Sequence, residues 1–255
     1  MTTKTQELLD TVGGNALLSQ QICREMFQRP LYFDLWVIQM QNIGVRSLPL
    51  TFVVAISVGM VMALQFGIGL EKFGGTLYIP KIVSVSIIRE LGPVFASLMF
   101  AARVGAGITS EVASMVVTQQ VDAIRALGTS PIKKIVIPRV MACILTLPLL
   151  CVFANTIGVL GGMMVGAMDL GLDSGFYYQK IRSSVTLADY FSGLGKSFFF
   201  ALFVAIPSCY FGLNVTKGTR GVGLATTKAV VVSSILILAG DYFLTKLFWI
   251  FETWK

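Results

Sequence analysis

From Leu48 to Leu70 the chain carries no charged side chain. A run of that length meets the roughly 20 apolar residues that a helix needs to cross a bilayer. In hydrocarbon a backbone must satisfy its own hydrogen bonds, so the run reads as a membrane-spanning helix. Four more apolar stretches follow: residues 82–117, Val140 to Met168, Ser197 to Thr216, and Ala229 to about Phe251. Charged residues are 13% of the chain, against about 25% in a soluble domain. The expected fold is all-α and integral to the membrane, with five transmembrane helices.

The second stretch contains what a lipid-facing helix avoids. Between Ser84 and Val117 the only charges are Arg89, Glu90, Arg103 and Glu111. Each costs roughly 2.5–3.5 kcal/mol at bilayer depth unless it faces a protein interior or a wet cavity with a partner. Transport is therefore the first functional class to weigh. As one straight helix, residues 82–117 would be about 54 Å long, more than the bilayer core needs. The element either projects beyond the membrane or breaks, and Gly92-Pro93 is the expected kink, because Pro removes a backbone bond and clashes one turn back. Two small-residue faces are predicted to pack closely: Ala55, Gly59 and Ala63 in the first span, and Gly158, Gly162 and Gly166 in the third.

Before the first span the chain is amphipathic. Leu8, Leu9, Val12, Ala16, Cys23, Met26 and Phe27 fall near one helical face, with Gln20, Gln21, Arg24 and Glu25 off it. Pro30 interrupts the pattern, and Tyr32, Phe33, Asp34 and Trp36 follow. Residues 6–45 are expected to form one or two interfacial helices. This divides the chain into an interfacial segment, 1–47, and a five-span domain, 48–255. Met1 to Asp10 is polar and acidic, unlike a cleavable signal.

Charge sets the expected orientation. Thr118 to Arg139 carries Arg125, Lys133, Lys134 and Arg139 against Asp122, and Lys217 to Lys228 carries only bases. Both read as cytoplasmic loops. Asp169 to Lys196 shows no positive bias, holds Tyr177, Tyr178 and Tyr190, and reads as an outer loop. Trp249 and Trp254 anchor the end of the fifth span. The N-terminus is expected inside and the C-terminus outside. The net charge of +7 is then explained by this rule, and nucleic-acid binding is not expected.

The chain has no histidine, and Cys23, Cys143, Cys151 and Cys209 show no metal-ligand spacing. No metal site and no catalytic residue are expected. Gly195-Lys196-Ser197 resembles the end of a phosphate-binding loop, but Tyr190 stands where that pattern needs its first glycine. ATP, if used, would be hydrolysed by another chain. Gly218, Gly221 and Gly223 read as a flexible turn. The segment from Gln119 to Gly128 reads as a short amphipathic helix with Val121, Ile124 and Leu127 as its stripe, Gly128 as its C-cap and Pro131 as its stop. A helix of that kind between two spans suits docking into a groove on a soluble partner.

Several of these segments, taken together, resemble the MlaE/YrbE permease family. They are Arg89-Glu90-Leu91-Gly92-Pro93, Ala102-Arg103-Val104-Gly105-Ala106 with Glu111, Val121-Asp122-Ala123-Ile124-Arg125-Ala126-Leu127-Gly128-Thr129-Ser130-Pro131, Ile137-Pro138-Arg139, and Gly221 to Val231. The resemblance covers roughly residues 45–245. Gln119 departs from it, standing where many members carry Glu. The resemblance implies five spans plus an N-terminal interfacial helix, and a permease that moves phospholipid in an ABC transporter of the Gram-negative inner membrane. It implies a homodimer and a separate ATPase that holds ATP and Mg, with no cofactor in this chain. A periplasmic MCE-domain protein is a further implied partner, and a STAS-domain protein can join the ATPase.

On that reading Leu64, Phe66, Leu70 and Phe73 would wall a lipid cavity, and Arg89 would meet the phosphate, balanced by Glu90. Arg103 and Glu111 would be intramembrane polar residues. Alternatively, Arg89, Glu90, Arg103 and Glu111 pair mutually to hold the kinked helix. Gln119, Asp122, Arg125, Ala126, Leu127, Gly128 and Pro131 would form the ATPase-coupling helix. Two other classes remain: an ion-coupled secondary transporter of a small amphiphile, and a non-transporting anchor.

Overall fold

The computed structural model describes residues 2–26, 33–216 and 218–253. Pro30, Tyr32, Lys217 and Trp254 lie outside the described residues, as do the side chains of Leu8, Phe27 and Phe33. All regular structure among the described residues is helical. Five stretches are long and apolar enough to cross a membrane: Asp34–Glu71, Thr76–Val117, Ile132–Met168, Leu187–Leu213 and Gly218–Ile250. The expected five-span helical fold is thus present.

The N-terminal helix α1 covers Thr2–Met26. Helix α2, Phe33–Gly44, passes through a 3-10 turn at Val45–Ser47 into α3, Leu48–Glu71. The second span is α4 (Ile79–Ser86), α5 (Gly92–Phe100) and α6 (Ala106–Val117), joined by π turns at Ile87–Leu91 and Ala101–Gly105. The short helix α7 is Gln120–Ala126. A third π turn, Ile132–Val136, leads into α8, Ile137–Met168. Then come α9 (Ser174–Ser184), α10 (Leu187–Leu213) and α11 (Gly218–Thr253).

The π turns explain how the long second span adjusts at its proline. In an α-helix the Arg89 carbonyl would need an N–H from residue 93, and proline has none. Instead the Gly92 N–H reaches back to the Ile87 carbonyl. The same device recurs where Ile137 N–H reaches the Ile132 carbonyl, one residue before Pro138. The expected irregularity at Gly92-Pro93 is therefore a one-turn widening that carries Arg89 and Glu90. Such bulges are frequent at functional sites.

The chain forms two compact units. The described residues of Met1–Val45, Phe100–Thr146 and Ala201–Leu236 make the first. Here α6 packs on α10: Thr109 Oγ1 donates to the Ser208 carbonyl at 3.0 Å, and a Cβ on Gly212 would lie 2.8 Å from Val112. The second unit is Arg46–Met99, Leu147–Phe200 and Ile237–Lys255. Its core gathers Ala63, Ile79, Val83, Ile87 and Val165.

In the second unit the two predicted small-residue faces meet each other. Thr51, Ala55, Gly59, Ala63 and Gly67 form a buried stripe on α3. A Cβ on Gly59 would stand 1.8 Å from the Gly158 carbonyl oxygen, and one on Gly161 would stand 2.5 Å from that of Ile56. Gly166 admits the Tyr177 ring of α9 in the same way. Burial pushes the Tyr177 phenol up to about 12, so it stays neutral at physiological pH. Gly59→Ala is expected to lower the thermal midpoint of the purified protein, because the new methyl meets backbone rather than a side chain that can move. Overpacking of this kind costs about 1–3 kcal/mol. Gly69→Ala, with nothing within 4 Å of its Cβ, is the matched control. Equal midpoints for the two variants would refute the close contact.

Two boundaries differ from expectation. Helix α10 begins at Leu187, ahead of the predicted start at Ser197, and Lys196 lies inside it. A reciprocal cap starts it: Thr186 N–H donates to Asp189 Oδ2 at 2.8 Å, and Asp189 N–H donates to Thr186 Oγ1 at 3.3 Å. Gly218, Gly221 and Gly223 are not a flexible turn. They belong to the first turns of α11, and a Cβ on Gly221 would strike the Thr216 carbonyl at 1.8 Å.

Candidate functional site

The charges of the second span take their partners from other helices. Arg89 donates to Asp189 Oδ1 at 3.1 Å, while Asp189 Oδ2 caps α10. Glu90 accepts from Lys196 of α10. Lys196 Nζ also donates to Asp241 Oδ1 at 3.1 Å and Thr245 Oγ1 at 2.7 Å, both on α11. All six residues belong to the second unit. Both acids of the set Arg89, Glu90, Arg103 and Glu111 accept from a base outside it, Glu90 from Lys196 and Glu111 from Arg139 at 3.1 Å in the first unit. Arg103 sits half-buried on the second π turn.

Close helix packing makes this cluster possible. A Cβ on Gly193 would stand 2.2 Å from the Ile88 carbonyl, and one on Gly195 would stand 2.5 Å from the Phe248 ring. The two glycines just ahead of this lysine let the second span and α11 approach α10. Gly195-Lys196-Ser197 thus packs helices and holds an ion cluster. Beside it Asn155 is buried, its amide atoms have no hydrogen-bond partner, and its oxygen fills the space where a Gly92 Cβ would stand.

The cluster holds two cations and three carboxylates. Lys196 is fully buried, whereas the side chains of Arg89, Glu90 and Asp241 are 25, 34 and 23% exposed. The lysine is the closed base of the cluster, and the arginine lies on a more accessible side. A guanidinium's planar fork of donors matches a phosphate. Asp189, Lys196, Asp241 and Thr245 were not assigned to the site from sequence. The signal for them was present: Arg89 and Glu90 inside apolar sequence demand partners, and Lys196 and Asp241 border or interrupt other apolar runs.

The predicted greasy wall separates into two pairs. Phe66 and Leu70 pack on the Ile79–Val83 core. Leu64 and Phe73 are exposed.

The predicted docking helix forms as α7. Gln119 enters it with a φ of 60°, the one positive φ of a non-glycine among the described residues. At the other end Gly128, with a φ of 73°, donates to the Arg125 carbonyl, and Thr129 donates to that of Ile124. That pair of bonds is a Schellman cap, the expected role of Gly128. Pro131 stands directly before the third π turn. Val121 is buried, Asp122 and Arg125 form an exposed pair at 3.2 Å, Ala126 is exposed, and Leu127 is 80% exposed.

The family described as Permease MlaE matches residues 36–247, close to the range on which the resemblance was read. A probable ABC transporter permease protein of Rickettsia conorii is 42% identical over 245 residues, 96% of this chain and 95% of that one. A counterpart from Synechocystis is 36% identical over 209 residues, 82% and 80% of the two chains. The intermembrane phospholipid transport system permease protein MlaE of Haemophilus influenzae is 33% identical over 217 residues, 85% and 83%. With its five apolar helices and these matches along most of its length, the chain belongs to the MlaE family of ABC transporter permeases.

Proposed function

We propose that this chain moves phospholipid between the inner and outer membranes and so maintains lipid asymmetry. It works as a homodimer in the inner membrane, with the N-terminus cytoplasmic and the C-terminus periplasmic. Residues 1–47 form the interfacial segment and 48–255 the permease domain. A separate ABC ATPase binds ATP and Mg and performs the hydrolysis, so the permease itself is not an enzyme. An MCE-domain protein receives or delivers lipid on the periplasmic side, and a STAS-domain protein attaches to the ATPase. The observation that carries the division of labour is α7, a capped helix between two spans with an apolar tip in solvent. The name of the Haemophilus relative supports phospholipid as cargo.

In this reading Arg89 meets the lipid phosphate, a charge-assisted contact, and Glu90 holds Lys196 in place when the site is empty. Leu64 and Phe73 offer exposed apolar surface for the acyl chains. Arg89→Ala is expected to lower ATP-driven phospholipid movement at least ten-fold in liposomes reconstituted with the ATPase. Dimer and ATPase co-purification should persist, because Asp189 keeps its cap on α10. Unchanged movement would remove Arg89 from the head-group site. Movement driven by an ion gradient without ATP would replace the ABC mechanism with ion coupling.

A further inference from the structure

A pocket of about 470 Å³ lies wholly within the first unit, between α1 and residues of α8, α10 and α11. Its size falls in the range of small-molecule sites, roughly 300–1,000 Å³. The walls are mostly apolar, with Ala16 and Ile22 of α1 facing Phe203 and Ile206 of α10. One polar line crosses it, formed by Thr11, Asn15 and Ser19 at helical spacing on α1. Asn15 Nδ2 donates to the Thr11 carbonyl and Ser19 Oγ donates to the Asn15 carbonyl, each at 2.7 Å. The Asn15 Oδ1 is buried and has no partner.

The helix α1 is fastened at both sides of this gap. Toward its start Tyr210 Oη donates to the Asp10 carbonyl at 3.1 Å, and Gly14 lies so close to the Tyr210 ring that a Cβ would stand 2.3 Å away. Toward its end Glu25 accepts from Ser130 Oγ at 2.6 Å. Between these contacts the helix bridges a pocket instead of closing on it. Such a space lined by membrane spans is filled from the bilayer rather than by water, since apolar cavities stay dry.

We propose that this pocket holds one acyl chain of a resident phospholipid whose head offers a hydrogen-bond donor, such as an ethanolamine or glycerol group, to Asn15. The apolar walls take the chain, and Asn15, whose Oδ1 is closed off in the empty pocket, turns that orphaned oxygen to the donor when the lipid enters. The occupant is distinct from transported cargo, because the pocket belongs to the unit that does not contain the Arg89 cluster. Ser130 follows α7 and its cap directly, so a lipid that props α1 also sets the loop behind the coupling helix.

The test uses the full chain in nanodiscs of phosphatidylethanolamine and phosphatidylglycerol. A trace of phosphatidylethanolamine carrying a mid-chain diazirine is photolysed and the adducts are mapped by mass spectrometry. Adducts should concentrate on residues 11–23 and 202–207, and should fall at least five-fold in Ala16→Trp, which fills the space. Adducts elsewhere on the spans should stay constant and serve as the internal standard. If Ala16→Trp loses helicity, Asn15→Leu takes its place and should weaken labelling by the ethanolamine probe. Labelling no denser in the pocket than on the other span surfaces would overturn the proposal. So would equal pocket labelling in a folded variant. A diazirine fatty acid that outcompetes the phospholipid probe would overturn the assignment to a phospholipid.

Discussion

Lys196→Met is expected to lower the stability of the purified protein by about 3–5 kcal/mol, the range for breaking a buried ion pair from one side. Methionine has nearly the length and volume of lysine, so the change removes charge without opening a large cavity. It leaves Glu90 and Asp241 facing each other with no cation between them, and Thr245 without its donor. The loss should appear as a lower thermal midpoint in detergent and a lower yield from membranes. Glu90→Gln in the same chain should recover part of it, because one uncompensated carboxylate is removed. A double-mutant cycle then isolates the pairwise energy, which is non-additive for groups in contact. Strict additivity, or a wild-type midpoint for Lys196→Met, would mean that the cluster does not hold the three helices together.

What sequence could and could not provide is visible in this same cluster. The spans were legible because uncharged runs in a bilayer leave few options. The close-packed faces were legible for a related reason: small residues four apart on two helices have one common use, and the Gly59–Gly158 contact supplies it. The C-cap at Gly128 was legible because a left-handed residue at a helix end favours glycine. The start of α10 was not. Hydropathy treats Lys196 as the edge of a span, since a lone lysine looks like an interfacial anchor. The capping pair Thr186 and Asp189 moves the start upstream and puts that lysine inside the helical bundle. Pairing was illegible for a different reason. Arg89 and Asp189 are far apart in sequence, and local spacing favours neighbours such as Glu111, which instead accepts from Arg139. Nor does composition reveal a π turn. It arises from Pro93 lacking an N–H and from the packing that lets the helix widen there.

Leu127→Asp and Ala126→Arg are expected to abolish ATP-driven transport while leaving the permease folded. Both side chains are exposed, Ala126 as the last residue of α7 and Leu127 at its cap, so neither change removes packing, and surface substitutions of this kind usually move stability by about 0.5 kcal/mol or less. An exposed leucine at the tip of a capped helix suits the apolar anchor of a helix laid into a partner's groove, and an aspartate there would bring an unpaired charge into that groove. Losing the anchor and burying the charge cost about 2 kcal/mol or more, and each 1.4 kcal/mol is a factor of ten in affinity. Binding of the ATPase should therefore weaken at least ten-fold, as measured by co-purification against a titrated ATPase. Thermal midpoint and helicity should match the unaltered chain. Two features make α7 able to transmit force once docked. The Schellman cap fixes its C-terminal end, and the left-handed Gln119 fixes its angle to α6. A rigid helix between two spans passes on a push that a flexible loop would absorb. An ATPase that binds either variant with full affinity and still drives lipid movement would show that coupling runs through another surface.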